Sequence, residues 1–238
     1  MRKDFARYHR QMLLPGWGED AQQRLGDASA LVVGVGALGS VSAELLVRAG
    51  VGRVVVVDRD VIELTNLQRQ MLYAEADVGR SKAEAAADRL RAINSSVCIE
   101  AIAEDVRGER ALELVEAADI IVDGTDNFET RYVLNDAAVA RDIPMVYGGA
   151  VGTVGTVLPV VPGVGPCLRC VSAELPMVTE TCDTAGVLGS VTAIVGARQA
   201  SLALQLLAGM EVESRLESID GLSGVSRTIE VAALRHDG

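Results

Sequence analysis

The sequence predicts a doubly wound α/β domain on a mainly parallel sheet, and three observations predict it. Short apolar runs alternate with segments of helical period from about residue 30 to 150. The runs are continuously apolar, as strands covered on both faces are, rather than alternating. A glycine-rich turn joins the first run to the first helical segment. Composition agrees with one globular unit: 238 residues, 49% of them apolar, can bury enough surface to offset ordering entropy. Thirty-three acidic against twenty-two basic residues give a net charge of −11. That balance argues against a nucleic-acid or anionic-membrane surface, since both reward basic faces.

In chain order, Pro15-Gly16-Trp17-Gly18 signals a turn, and Ala21 to Leu25 a helix. Ala30 to Val33 is a strand. Leu38, Val41, Leu45 and Ala49 then fall at helical steps, with Gly50 as the stop. Arg53 to Asp58 is a strand with an acidic end, followed by a polar loop or short helix. Residues 80–94 form a helix, Val97 to Ala103 a strand, and Gly108 to Ala118 a helix. Asp119 to Asp123 is a strand, Phe128 to Arg141 a helix, and Met145 to Tyr147 a strand. Beyond Gly152 come strand-like segments, a cysteine-bearing loop, a long helix near 184–208, and strands at Leu216 to Asp220 and Thr228 to Leu234.

Ile143 to Leu168 runs 26 residues without a charge, but four prolines and six glycines within it break any spanning helix. The chain is therefore not read as a membrane protein. Without a linker or internal repeat, residues 1–238 are expected to form a single domain. Its nucleotide-binding core covers about 28–150, and an elaboration covers about 151–238.

The chemistry starts at Gly34-Val35-Gly36-Ala37-Leu38-Gly39. A G-x-G-x-x-G turn between strand and helix lets the backbone approach a phosphate, which the free N–H groups of the helix start can bind. Asp58 lies 19 residues past Gly39, at the end of the second strand, where a carboxylate can accept from both ribose hydroxyls. This is a Rossmann-like nucleotide unit. The same unit serves dehydrogenases and ATP-using enzymes, so the motif leaves the nucleotide open.

The next segment adds cations. Asn66 and Arg69 follow Asp58, and Lys82 begins the next helix. Lys3 and Lys82 are the only lysines, against twenty arginines. A lysine at a helix start opposes the macrodipole, so either an anion explains it or it is an exposed residue in an arginine-rich composition. Arg7 and Arg10 add charge near the N-terminus. Asp126, at the carboxyl end of the strand Asp119 to Asp123, fits two roles: a Mg²⁺ ligand on a triphosphate, or, with Asn127, an N-cap for the following helix.

Taken together, RYHRQ, GVGALGS, VVVVDRDVIELTNLQRQ, VGRSKAEAA and VDGTDNFETR resemble the MoeB/ThiF/HesA group of adenylyltransferases, bacterial relatives of the ubiquitin-activating enzymes. The resemblance runs from about residue 5 to the end, and Ala37 departs from it where many members carry glycine. It implies an enzyme that uses ATP and Mg²⁺ to adenylylate the C-terminal glycine carboxylate of a small ubiquitin-like sulfur carrier ending in Gly-Gly. Pyrophosphate leaves, and a sulfur donor such as a cysteine desulfurase supports thiocarboxylate formation for a molybdopterin, thiamin or related pathway. By the same resemblance, Gly34, Gly36, Ala37 and Gly39 form the nucleotide turn and Asp58 binds ribose. Asn66, Arg69 and Lys82 bind phosphates, Asp126 holds Mg²⁺ beside Asn127, and Arg10 reaches over from the second subunit of a homodimer. The resemblance also implies that residues 151–238 bind the carrier and include a loop crossing over the site.

The cysteines divide three ways. Cys167 and Cys170 form a C-x-x-C pair, half of a four-ligand zinc site that in the family a second pair completes near the C-terminus; here only Arg235-His236-Asp237-Gly238 follows at that point. Cys182 matches the family's cysteine on the crossing segment, where it is either a covalent attachment point or an unreactive thiol. Cys98, within a strand pattern, is expected in the core. With no signal-like segment, a reducing cytoplasmic setting is expected. Two other readings compete: an NAD(P)-dependent oxidoreductase, which lacks an evident acid/base for hydride transfer, and a nucleotide-binding relative without catalysis.

Overall fold

The computed structural model describes residues 3–174 and 185–231. In chain order its elements are α1 (His9–Met12), α2 (Gly18–Asp27), β1 (Ser29–Val33), α3 (Gly39–Ala49), β2 (Arg53–Val57), α4 (Lys82–Ile93), β3 (Cys98–Ile102), α5 (Gly108–Glu116) and β4 (Ile120–Asp123). Then follow α6 (Phe128–Arg141), β5 (Met145–Val151), β6 (Val154–Val160), α7 (Leu168–Glu174), α8 (Gly189–Leu207), β7 (Leu216–Asp220) and β8 (Ser226–Ile229). Short 3-10 turns at Leu64–Asn66 and Glu75–Asp77 interrupt the path from β2 to α4.

The strands form one eight-stranded sheet in the order β3-β2-β1-β4-β5-β6-β7-β8. The pairs from β3 to β5 are parallel and those from β5 to β8 antiparallel. The C-terminal elaboration therefore extends the core sheet. The continuous apolar runs are explained by two covered faces. In β1, Ala30 and Val32 join the core with Leu46 of α3, Leu90 of α4 and Val195 of α8, while Leu31 and Val33 join Val115 of α5 and Leu134 of α6 on the other side. Strand side chains alternate faces, so both faces must be apolar.

Each terminal signal has a local cause. Gly50 ends α3 at φ 87°, a left-handed position that glycine adopts without steric cost. The Ser81 hydroxyl accepts the Glu84 N–H at the start of α4, and the Asn127 side chain accepts the Thr130 N–H at the start of α6.

Four expectations change. The core side of α3 is carried chiefly by Ala43, Leu46 and Val47, whereas Val41 and Leu45 are half-buried. Val41 faces α8 at Gly196 instead, a contact between elements distant in sequence. Cys98 is exposed rather than in the core: β3 is an edge strand, and every second residue of it faces out. The Cys167–Cys170 pair is not wholly in a loop, because α7 begins at Leu168; the Asn135 side-chain oxygen accepts the Leu168 N–H at 2.8 Å and starts that helix. The last strand, expected over Thr228 to Leu234, runs from Ser226 to Ile229, and part of the expected range lies outside the described residues.

β1 is flanked by β2 and β4, so the chain reverses its direction of winding there. Beyond the carboxyl ends of these two strands opens the crevice where ligands sit in doubly wound sheets.

Candidate active site

A cavity of about 410 Å³ occupies that crevice. Its floor comes from the turns after β1 and β4: the Gly124 N–H donates to the Val33 carbonyl at 2.8 Å and ties the β4 turn to the end of β1, while the Gly34 N–H donates to the Val57 carbonyl at 2.7 Å and ties the β1 turn to the end of β2. The glycines of the turn then separate by role. A Cβ on Gly39 would stand 1.8 Å from the Gly34 carbonyl oxygen, so Gly39 exists for close packing and does not line the cavity. A Cβ on Gly36 would meet nothing nearer than the Gln70 amide nitrogen at 3.5 Å; this glycine opens onto the cavity.

Asp58 lines the cavity at 9% exposure, with each oxygen already anchored: Oδ2 accepts the Val35 N–H and Oδ1 the Asp60 N–H, both at 2.9 Å. Burial pushes its carboxyl above the usual aspartate value, against the lowering pull of the Asp60 N–H and Lys82. The carboxylate thus orders the glycine turn and still presents lone pairs toward the cavity.

Lys82 is 7% exposed, which removes the reading of a surface lysine. Its Nζ lies 3.0 Å from Asp60 Oδ2, holding a desolvated cation on the cavity wall. Arg69 also lines the cavity, and its guanidinium donates back to the Thr65 carbonyl at 3.1 Å. Asn66 lies outside the lining; its side-chain oxygen accepts the Glu63 N–H at 3.1 Å and closes the 3-10 turn that sets Arg69 in place.

After β4, Asn127 makes the α6 cap, so the exposed carboxylate of Asp126 is not needed for it and faces the cavity. Arg10 lies exposed on α1, away from the lining. Cys167 and Cys170 are buried on the far face of the sheet, their sulfurs 3.7 Å apart. That spacing fits two corners of a tetrahedral zinc site, whose Zn–S bonds of ~2.3 Å give edges near 3.8 Å. Among the described residues, however, no group of three or more metal-ligating side chains occurs. Cys182 and His236 lie outside the described residues.

Two lining residues had no role in the sequence reading. Arg131 is 8% exposed, lies between the rings of Phe128 and Tyr147, and donates to the Thr125 carbonyl at 2.6 Å. It braces the turn that carries Asp126, next to Asp123, whose carboxyl burial raises. Gln70 lies beside Gly36 at 4% exposure. Both stand inside the quoted strings VDGTDNFETR and NLQRQ, so their position was visible, but their burial was not. Overall, Asp58, Asp60, Glu104, Asp105 and Asp126 line the cavity against Arg59, Arg69, Lys82 and Arg131, five carboxylates to four cations.

The chain resembles known proteins over nearly its whole length. The ThiF family model matches residues 8–238. The "sulfur carrier protein ThiS adenylyltransferase" of Bacillus subtilis is 48% identical over 233 residues, covering 97% of this chain and 69% of that protein. The "sulfur carrier protein adenylyltransferase" of Thermus thermophilus is 44% identical over 216 residues, covering 88% and 80%. In fold, the chain matches a crystal structure of Escherichia coli MccB with a TM-score of 0.86 at 24% identity, covering 97% of this chain and 73% of that one.

Proposed function

The chain belongs to the ThiF family, and on that premise we propose that it adenylylates the C-terminal carboxylate of a small sulfur-carrier protein with ATP. The single observation that carries the proposal is the cavity at the β1/β4 crevice, which the buried Asp58 carboxylate lines together with Arg69 and Lys82. The carrier carboxylate attacks the α-phosphorus; a new P–O bond forms, the bond to the β-phosphate oxygen breaks, and pyrophosphate leaves. Both reactants are anions, so the step needs positioned cations more than a general base. Lys82 and Arg69 supply them, and the Asp60 carboxylate, 3.0 Å from the Lys82 Nζ, holds that ammonium in position. An oxidoreductase reading finds no such use for these cations.

The lining holds one carboxylate more than it holds cations, so a triphosphate needs further positive charge. Asp126 would hold a Mg²⁺ ion, which would supply positive charge to the phosphate oxygens. Arg10 would be supplied by a second copy in a homodimer. A cysteine desulfurase as sulfur donor, a carrier ending in Gly-Gly, and a cytoplasmic setting complete the proposal. Among the described residues no helix is long and apolar enough to cross a membrane. The test is carrier-dependent ATP–pyrophosphate exchange: Arg69→Ala and Lys82→Ala should each slow it by on the order of 10²-fold. Unchanged exchange in both variants overturns the proposal.

A further inference from the structure

We propose that Arg131 receives the substrate carboxylate: its Nη1 donates to one oxygen of the carrier's C-terminal carboxylate while the other oxygen attacks the α-phosphorus. This rests on the adenylylation reading. Arg131 is buried, and two rings hold its guanidinium, the central carbon lying 5.2 Å from the centre of Phe128 and 5.1 Å from that of Tyr147. Nη2 donates to the Thr125 carbonyl at 2.6 Å and to the Gly148 carbonyl at 3.3 Å. Nε faces Asp123 Oδ2 at 3.6 Å, too far for a hydrogen bond. Nη1 donates to nothing among the described residues, yet unlike Nε it is not sealed in the interior; it opens onto the cavity that Arg131 lines. A desolvated cation fixed in this way cannot turn toward another partner, and the planar guanidinium sets the direction of its unused N–H groups. An anionic acceptor in the cavity satisfies them.

Position decides which anion. Every charged residue of the lining other than Asp126 and Arg131 stands on a segment that follows β2 or β3. That half of the cavity suits a nucleotide. On the opposite side of β1 and β4, the strands β5 and β6 with α8 contribute Tyr147, Gly149, Val151, Val154, Thr156 and Thr192, none of them charged. That half suits a neutral peptide tail whose one charge is its terminal carboxylate. Arg131 lies at the boundary, bonded to Thr125 after β4 and to Gly148 of β5, so it holds the carboxylate where the two reactants meet. No proton moves in the step. The attacking oxygen forms the new P–O bond, pyrophosphate leaves with the electron pair of the broken one, and the oxygen on Nη1 becomes the carbonyl of the mixed anhydride. The carboxylate gives up its charge on attack, so Arg131 contributes to binding and aim.

The experiment titrates a synthetic peptide ending in Gly-Gly, as the free acid and as the C-terminal amide, into the chain loaded with α,β-methylene-ATP, whose bridging carbon blocks the reaction. The wild type, Arg131→Met and Arg131→Lys are compared, with thermal unfolding of each. The wild type should bind the acid roughly tenfold more tightly than the amide. Arg131→Met should bind the two forms alike. Arg131→Lys keeps the charge without the planar fork and should retain only part of the preference; it carries the comparison if Arg131→Met does not fold. Loss of the bonds to Thr125 and Gly148 weakens acid and amide together and leaves their ratio unchanged, so a wild-type ratio in either folded variant overturns the proposal. It is also overturned if the wild type binds both forms alike or neither, or if Arg131→Met weakens the nucleotide analogue while the acid–amide ratio stays. A ratio that changes as expected in a chain without carrier-dependent exchange refutes the adenylylation reading and leaves the carboxylate contact standing.

Discussion

Gly36→Ala and Gly39→Ala alter two glycines of one turn, three residues apart, and should have opposite effects. At Gly39 the new methyl would stand 1.8 Å from the Gly34 carbonyl oxygen and within 3.3 Å of a Val32 methyl. The obstacle is backbone, so α3 must retreat from β1 by more than an ångström. That opens a close-packed contact and costs about 3–5 kcal/mol, a large part of a domain stability of about 5–15 kcal/mol. At Gly36 the nearest atom to a new methyl is 3.5 Å away, an ordinary contact. Folding is undisturbed there, and reduced freedom of the unfolded chain stabilises by about 0.4–1 kcal/mol. The methyl does occupy the space where phosphate approaches the turn, so ATP affinity should fall by about 2 kcal/mol, roughly thirtyfold. Urea unfolding with and without ATP reads both effects. Gly39→Ala should shift the ligand-free midpoint far down, while Gly36→Ala should keep it and lose the shift that ATP produces. A Gly36→Ala protein that ATP stabilises normally, or a Gly39→Ala protein as stable as the wild type, refutes this division of roles.

Asp58 and Asp77 give predictions of opposite sign in pH. Burial raises Asp58, so the folded chain takes up its proton more readily than the unfolded chain; ionising it lowers stability as pH rises between the two values, and binding that uses the carboxylate is lost as pH falls through the raised one. Adenosine affinity should therefore fall on acidification at a higher pH than an ordinary aspartate would give, and Asp58→Asn should flatten the profile; superimposable profiles would count against the ribose role. Asp77 is held below the usual carboxylate range by the Ala74 N–H and then by Arg89, with Arg80 adding to it. Its contribution is present above the unfolded value and disappears as pH falls through the lowered one. Asp77→Ala should cost about 2 kcal/mol at neutral pH in chemical denaturation, and a variant with wild-type stability would refute that.

Much of the fold was legible because its determinants are local. The run Ile120–Asp123, the helix Phe128–Arg141 and the glycine stop at Gly50 follow from apolar period, cap chemistry and φ preference within a few residues. The candidate site was legible as residue types in order. Asp58 after a strand, Lys82 at a helix start and Asp126 beyond a strand end all line the cavity where the spacing put them.

What the sequence by itself determined was the succession of strands and helices, the glycine turn, and the carboxylate and cations that follow it. Tertiary structure alone decided which of these residues lose water and what stands opposite them. Cys98 faces out because β3 lies at the sheet edge, and Lys82 is buried because the β2–α4 segment folds back to pair it with Asp60. Gly36 and Gly39 differ because one faces a cavity and the other a carbonyl oxygen. Gln70 and Arg131 acquire meaning only when the ends of β1, β4 and β5 meet. The reason is one of range: dihedral preference and periodicity act over a few residues, whereas desolvation and close packing depend on segments joined only by folding.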